Sequence, residues 1–129
     1  MLRIEHLSKT YKGGKRAVDD LSLEVHAGDI FGFIGHNGAG KTTAIRSIVG
    51  VLQFEQGEIY IDGKSIKKNP IECKQELAYI PDNPDLYGNL TGIKYLNFIG
   101  DIYRVPAEIR RQRIERYAGI FDLTGDLGS

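Results

Sequence analysis

The stretch Gly35-His36-Asn37-Gly38-Ala39-Gly40-Lys41-Thr42-Thr43 decides how this chain is read. It fits the pattern G-x-x-x-x-G-K-T of a phosphate-binding loop. Glycine at Gly35, Gly38 and Gly40 lets the backbone wrap closely around an anion, an approach that side chains would block. The backbone N–H groups of Asn37 to Thr42 are then free to turn toward phosphate oxygens. Lys41 carries a positive charge that can reach the terminal phosphates, and Thr42 offers a hydroxyl to Mg²⁺. Thr43 follows at a helix start, where unpaired N–H groups and the helix dipole favour negative charge. His36 and Ala39 contribute backbone to the cradle. The His36 side chain is expected to point outward and is assigned no chemistry.

Such a loop counts only between a strand and a helix. Asp29-Ile30-Phe31-Gly32-Phe33-Ile34 precedes it, a short apolar run that predicts a strand. Ala44, Ile45, Ile48 and Val49 follow at helical spacing, and Gly50 is placed to end that helix. Both flanks favour the phosphate loop over a glycine-rich turn that happens to contain Lys-Thr.

Length and composition bound the rest. The chain has 129 residues, 41% hydrophobic and 26% charged, with a formal net charge of zero. That is enough for one globular domain. A neutral chain has no global attraction to nucleic acid or acidic lipid. Cys73 is the single cysteine, so no internal disulfide forms and a reducing, cytoplasmic setting is expected. Met1 to Glu5 lacks a signal-type apolar core. No apolar run approaches the ~18 residues of a membrane span, so a membrane role requires a partner.

Leu2 to Leu7 alternates as a half-buried strand, and Tyr11-Lys12-Gly13-Gly14-Lys15 reads as a turn. A hairpin runs from Ala17 to Val25, with alternation from Leu21, and His26-Ala27-Gly28-Asp29 turns back toward the loop. Gly57 to Ile61 is a strand, and Asp62-Gly63 is a hairpin turn. Pro70 opens a short helix through Gln75, and Leu77 to Ile80 reads as a strand stopped by Pro81. From Ile93 the pattern is helical with a wide apolar face, which predicts good burial. Thr91 is its N-cap. Pro106 opens a second helix with Ile114, Tyr117, Ala118 and Phe121 as its stripe. Arg104, Arg110, Arg111, Arg113 and Arg116 are interleaved with Glu108 and Glu115 and read as a solvated face rather than a nucleic-acid surface.

The order of these features resembles the N-terminal half of an ABC transporter ATP-binding domain, over essentially all 129 residues. The resemblance rests on Tyr11, on the hairpin and Ala27-Gly28-Asp29-Ile30 before the loop, and on Gly57-Glu58-Ile59 with Asp62-Gly63-Lys64. It continues through Tyr79-Ile80-Pro81 and Leu90-Thr91. The stretch Tyr79 to Leu96, with Asp85-Leu86-Tyr87, is similar to the exporter branch that works with separate membrane subunits.

The resemblance implies an α/β P-loop NTPase fold with an N-terminal antiparallel β-subdomain and the start of a helical subdomain. Residues 1–90 would form the β-subdomain and phosphate-loop core, and 91–129 the helical start. It implies ATP and Mg²⁺ as ligands. Tyr11 would stack on adenine, since a flat π-face suits a flat base. Val18 would pack the ribose or base, Lys41 would act catalytically, and Thr42 would hold the metal. Where the family carries a glutamine, this chain has Asp82, a shorter and charged oxygen donor that could still serve Mg²⁺. The alternative for Asp82 is a loop aspartate starting a turn before Pro84. Ile59-Tyr60-Ile61-Asp62 imitates a metal-holding run, but Gly63 makes it a turn. Further implications are integral membrane permease partners, a homodimer or heterodimer of ATP-binding domains, and a cytoplasmic site at the inner face of the cell membrane.

ATP hydrolysis also needs an acidic residue on a second strand and a group that orients water. The family's Leu-Ser-Gly-Gly-Gln signature, Asp-Glu pair and switch histidine do not occur in this sequence. The expectation is a piece of a longer protein that binds ATP and does not turn it over. Strand 29–34 would then present an open edge, which favours self-association. A concentration-independent monomer in size-exclusion would count against that. A non-transport ABC ATPase acting on DNA or the ribosome is the remaining alternative. A GTPase fits less well, because no Asn-Lys-x-Asp motif is present.

Overall fold

The computed structural model describes residues 1–83 and 88–128. The chain divides into two compact units, Met1–Tyr79 and Ile80–Ser129.

The first unit is built on a four-stranded antiparallel sheet. Its strands are β1 (Leu2–Thr10), β2 (Arg16–Val25), β3 (Gln56–Ile61) and β4 (Lys64–Ser65), in the order β2-β1-β3-β4. The helices α1 (Lys41–Ile48) and α2 (Pro70–Gln75) complete it. Strict alternation along β1 would bury Leu2, Ile4 and His6. A bulge prevents this: His6 takes φ 51, the register shifts between Ile4 and Leu7, and Leu7 becomes fully buried instead. Asp20 in β2 does the same with φ 50, so Val18 and Leu21 both face inward although three residues apart. The two bulges support each other. His6 Nδ1 lies 2.7 Å from Asp20 Oδ1, the His6 N–H donates to Ser22 Oγ, and the Asp20 N–H donates to Ser8 Oγ. Bulges leave backbone groups without ladder partners, and here the serines take the freed donors.

The core joins Ile4, Leu7, Val18 and Ile59 from the sheet with Ala44 of α1, Cys73 of α2, and Ile66. The Asp62-Gly63 hairpin forms as expected, with φ 46 and 78, the paired left-handed residues of a tight turn. Gly50 ends α1 at φ 71. Its N–H donates to the Ser47 carbonyl, and the Val51 N–H to the Arg46 carbonyl, which satisfies the helix's last carbonyls.

Two expected strands do not form. Residues 29–34 and 77–80 carry no strand pairing, and Ile30 and Ile34 are almost wholly exposed. Apolar, β-branched composition favours a strand, but a strand exists only where a neighbour accepts its backbone hydrogen bonds.

The second unit contains α3 (Gly92–Ile102) and α4 (Ala107–Ile120). Thr91 caps α3, its hydroxyl accepting the Lys94 N–H at 3.4 Å, and Pro106 precedes α4. The apolar face of α3 is less buried than its periodicity predicts. Leu96, Phe98 and Ile102 are exposed, and Gly100 is the buried residue of the helix. Within this unit α3 meets α4 and Leu127, whose carbonyl accepts the Ile93 N–H at 2.8 Å. That covers part of a face wide enough for more. The arginine cluster also needs correction at one position. Arg111 is solvated and pairs with Glu108 and Glu115. Arg110 instead lies between the helices, where its guanidinium donates to Asp101 at 2.6 Å, to Asn97, and to the Val105 carbonyl at 3.0 Å. Gly100 makes the room, since a Cβ there would stand 2.4 Å from Arg110 Nε.

Candidate functional site: a phosphate-binding loop beside an aromatic turn

The loop before α1 is shaped by two glycines with left-handed backbone, Gly38 at φ 85 and Gly40 at φ 91. Gly40 also has no space for a side chain, because a Cβ would fall 2.0 Å from the Ala17 carbonyl oxygen of β2. The start of β2 thus fixes the loop from outside, a contact that the motif does not announce. Inside the loop, the Ala39 N–H donates to the His36 carbonyl at 3.1 Å. Lys41 Nζ donates to the carbonyls of Gly35 and His36, the latter at 2.7 Å. An ammonium has three donors, so one remains for a ligand. His36 Nδ1 lies 2.9 Å from the Asn37 carbonyl oxygen, with the ring exposed as expected.

Helix α1 starts without a side-chain cap at Gly40. Its first internal bond runs from the Ala44 N–H to the Gly40 carbonyl, so the N–H groups of the first turn are left for an external acceptor. With the helix dipole behind them they favour an anion. Thr42 is exposed beside them and Thr43 is buried.

A cleft of about 390 Å³ opens next to the loop. Val18, Phe33, Ala39 and Lys41 line it, with Arg16 and Asp19, which pair at 2.7 Å. Its volume suits a small ligand. Val18 belongs to the core at 8% exposure, so it offers the cleft only an edge. Tyr11 sits at the turn after β1. Its backbone is tied by the bonds from Tyr11 N–H to Lys15 carbonyl and from Gly14 N–H to Tyr11 carbonyl. Its hydroxyl lies 3.1 Å from Thr43 Oγ1. Tyr11 and the phosphate loop, 24 residues apart from Tyr11 to Gly35 in sequence, are therefore brought together. The Arg16–Asp19 pair was not singled out in the sequence; two opposite charges three apart in a strand are the only signal it leaves.

Asp82 belongs to the second unit and is exposed in a bend after Pro81. Pro84 and the Asp85-Leu86-Tyr87 part of the exporter-like stretch lie outside the described residues. Among the described residues no cluster of three or more histidine, cysteine or acidic side chains is placed to hold a metal. No helix among them is long and apolar enough to cross a membrane.

The loop, the uncapped helix start and the adjoining cleft define a P-loop nucleotide-site protein of the α/β class. The family model for the ABC transporter matches residues 18–125, and the chain belongs to that family. It is 32% identical over 124 residues to the glycine betaine/carnitine/choline transport ATP-binding protein of Bacillus subtilis, covering 95% of this chain and 33% of that protein. It is 41% identical over 91 residues to the bacitracin transport ATP-binding protein of Bacillus licheniformis, covering 70% of this chain and 29% of that one. Among solved structures, an ATP-binding subunit of an ABC transporter superposes with TM-score 0.93 at 30% identity, covering 100% of this chain and 53% of that chain. A dimeric ATP-binding cassette with ADP and Pi has the same fold, with TM-score 0.82 at 21% identity, over 99% of this chain and 60% of its own. The chain thus spans about a third of the length of these curated relatives.

Proposed function

We propose that this chain binds ATP with Mg²⁺ through Gly35 to Thr43, as the nucleotide-binding part of a longer transport ATPase. The observation that carries the reading is the Gly40 contact. A loop that has no room for a Cβ at Gly40, closed by Lys41 on its own carbonyls and followed by uncapped N–H groups, is suited to a polyphosphate. The backbone N–H groups of Asn37 to Thr42 hold phosphate oxygens, and Lys41 offsets charge on the transferred phosphoryl group. Thr42 would supply a hydroxyl ligand for Mg²⁺, which would neutralise phosphate charge. Asp82 is the second candidate ligand, through water. Tyr11 stacks on the base, and Val18 forms the edge of its wall.

Residues 1–90 serve as the β-subdomain with the phosphate loop, and 91–129 as the start of the helical subdomain. In the longer protein, two such domains would pair around ATP and drive permease subunits in the membrane from its cytoplasmic face. Export is supported by the likeness of Tyr79 to Leu96 to the exporter branch. Nucleotide-driven uptake into inverted vesicles containing the whole transporter would support it, and uptake only into right-side-out vesicles would overturn it.

Calorimetry of the 129-residue chain tests the core of the proposal. It should bind ATP with Mg²⁺, release no phosphate, and lose at least about tenfold in affinity on Lys41→Ala, as expected for removal of one charge-assisted contact. Phosphate release that Lys41→Ala abolishes would show that the chain is itself an ATPase.

A further inference from the structure

The contact between Tyr11 and Thr43 has a role that stacking alone does not explain. Tyr11 occupies a turn that contains Gly13 at φ 100 and Gly14 at φ 83, two residues that give a backbone wide freedom. Two backbone bonds close that turn, but neither restrains the ring. The ring is restrained at its far end, where the hydroxyl meets Thr43 Oγ1 at 3.1 Å. Thr43 is itself held rigidly: it lies in the first turn of α1, is 8% exposed, and its carbonyl accepts the Ser47 hydroxyl at 2.9 Å. Tyr11 as a residue nevertheless stays 40% exposed. The Lys9 ammonium stands 5.9 Å from the ring centroid and is hydrogen-bonded to Glu55. The ring is therefore tethered at its hydroxyl end, with Lys9 over one face, while much of the residue is open to solvent.

We propose that the Thr43 hydroxyl is a positioning group for the base site: through the Tyr11 hydroxyl it holds the aromatic ring in its stacking orientation before the nucleotide arrives. This rests on the nucleotide-site reading above. The benefit is preorganisation, since a ring already ordered loses less rotational freedom when a base binds. One helix turn then serves both halves of the ligand. Its N–H groups face the phosphates, and its second hydroxyl sets the ring that meets the base.

The test compares ATP with inorganic tripolyphosphate, both with Mg²⁺, on the 129-residue chain by calorimetry. Tripolyphosphate reads the phosphate cradle without the base. Tyr11→Phe keeps the ring and removes the tether. The ratio of ATP to tripolyphosphate affinity should fall about three- to fivefold, the size expected for one neutral hydrogen bond. Thr43→Val should lower the same ratio by a similar factor, and the double variant should fall no further, because both changes cut one bond. A ratio unchanged in Tyr11→Phe, or a double variant that falls by the product of the single factors, would overturn the tether. Wild-type protein that binds neither ligand would instead sink the nucleotide-site reading beneath it.

Discussion

Gly40 and Gly38 have similar backbone angles, φ 91 and 85, yet their surroundings differ. A methyl at Gly40 would overlap the Ala17 carbonyl at 2.0 Å, while a methyl at Gly38 meets nothing within 4 Å. Gly38→Ala should therefore carry only the left-handed penalty, about 1–2 kcal/mol. Gly40→Ala adds a clash with backbone that cannot move without shifting β2, and should cost more than about 3 kcal/mol as well as ATP binding. Urea unfolding of both variants checks the order; equal costs would mean that β2 yields easily. The motif made the three loop glycines visible, but it could not rank them. The rank comes from Ala17, which the chain brings to the loop from 23 residues upstream. Tyr11 was legible as an aromatic at the right place in the order. Its bond to Thr43 was not, because it depends on how the turn leans over α1.

At the scale of elements, helix ends carry much of the local information. Helix α3 closes with the Val105 N–H on the Gly100 carbonyl at 2.8 Å and the Arg104 N–H on the Asp101 carbonyl at 3.0 Å. Arg104 holds the left-handed position between them at φ 53, a place glycine usually takes. Arg104→Gly should thus stabilise the second unit by about 0.5–1 kcal/mol. A rise in the thermal midpoint would show it, and a fall would mean that the arginine makes a compensating contact. At the junction of β1 with the loop before β3, the Lys9 ammonium and the Thr10 N–H hold the Glu55 carboxyl below the usual glutamate range. A lowered folded value means the contribution is complete above the ordinary glutamate range and is lost as pH falls through the lowered value. Glu55→Gln should lower the thermal midpoint near neutrality and leave it close to wild type at the acid end, so that the acid limb of a plot of midpoint against pH becomes shallower. An identical acid limb would mean that the Lys9 contact does not persist in solution. The helices, their caps and the Asp62-Gly63 turn were readable because they depend on neighbours a few residues away. The bulges at His6 and Asp20 were not, because the extra residue in one strand makes sense only against the other.

For the whole molecule, Cys73 offers a direct report on integrity. It is fully buried, its thiol donates to the Lys64 carbonyl at 3.3 Å, and burial pushes the thiol pKa up. The thiolate is the reactive form, so a thiol reagent should label the native chain only as fast as the first unit opens. Labelling should accelerate sharply at the urea midpoint. Rapid labelling without urea would show that α2 opens on its own. Composition and order made the glycine-rich loop, the aromatic at Tyr11, the helices and the family legible, because each is written in short-range residue types and spacings. The strand character of Asp29 to Ile34, the burial of α3, the placement of Arg110 and the closure of the loop by Ala17 were decided by tertiary structure. Each of these depends on which distant backbone or side chain arrives beside it, and a residue's own chemistry does not specify its neighbour.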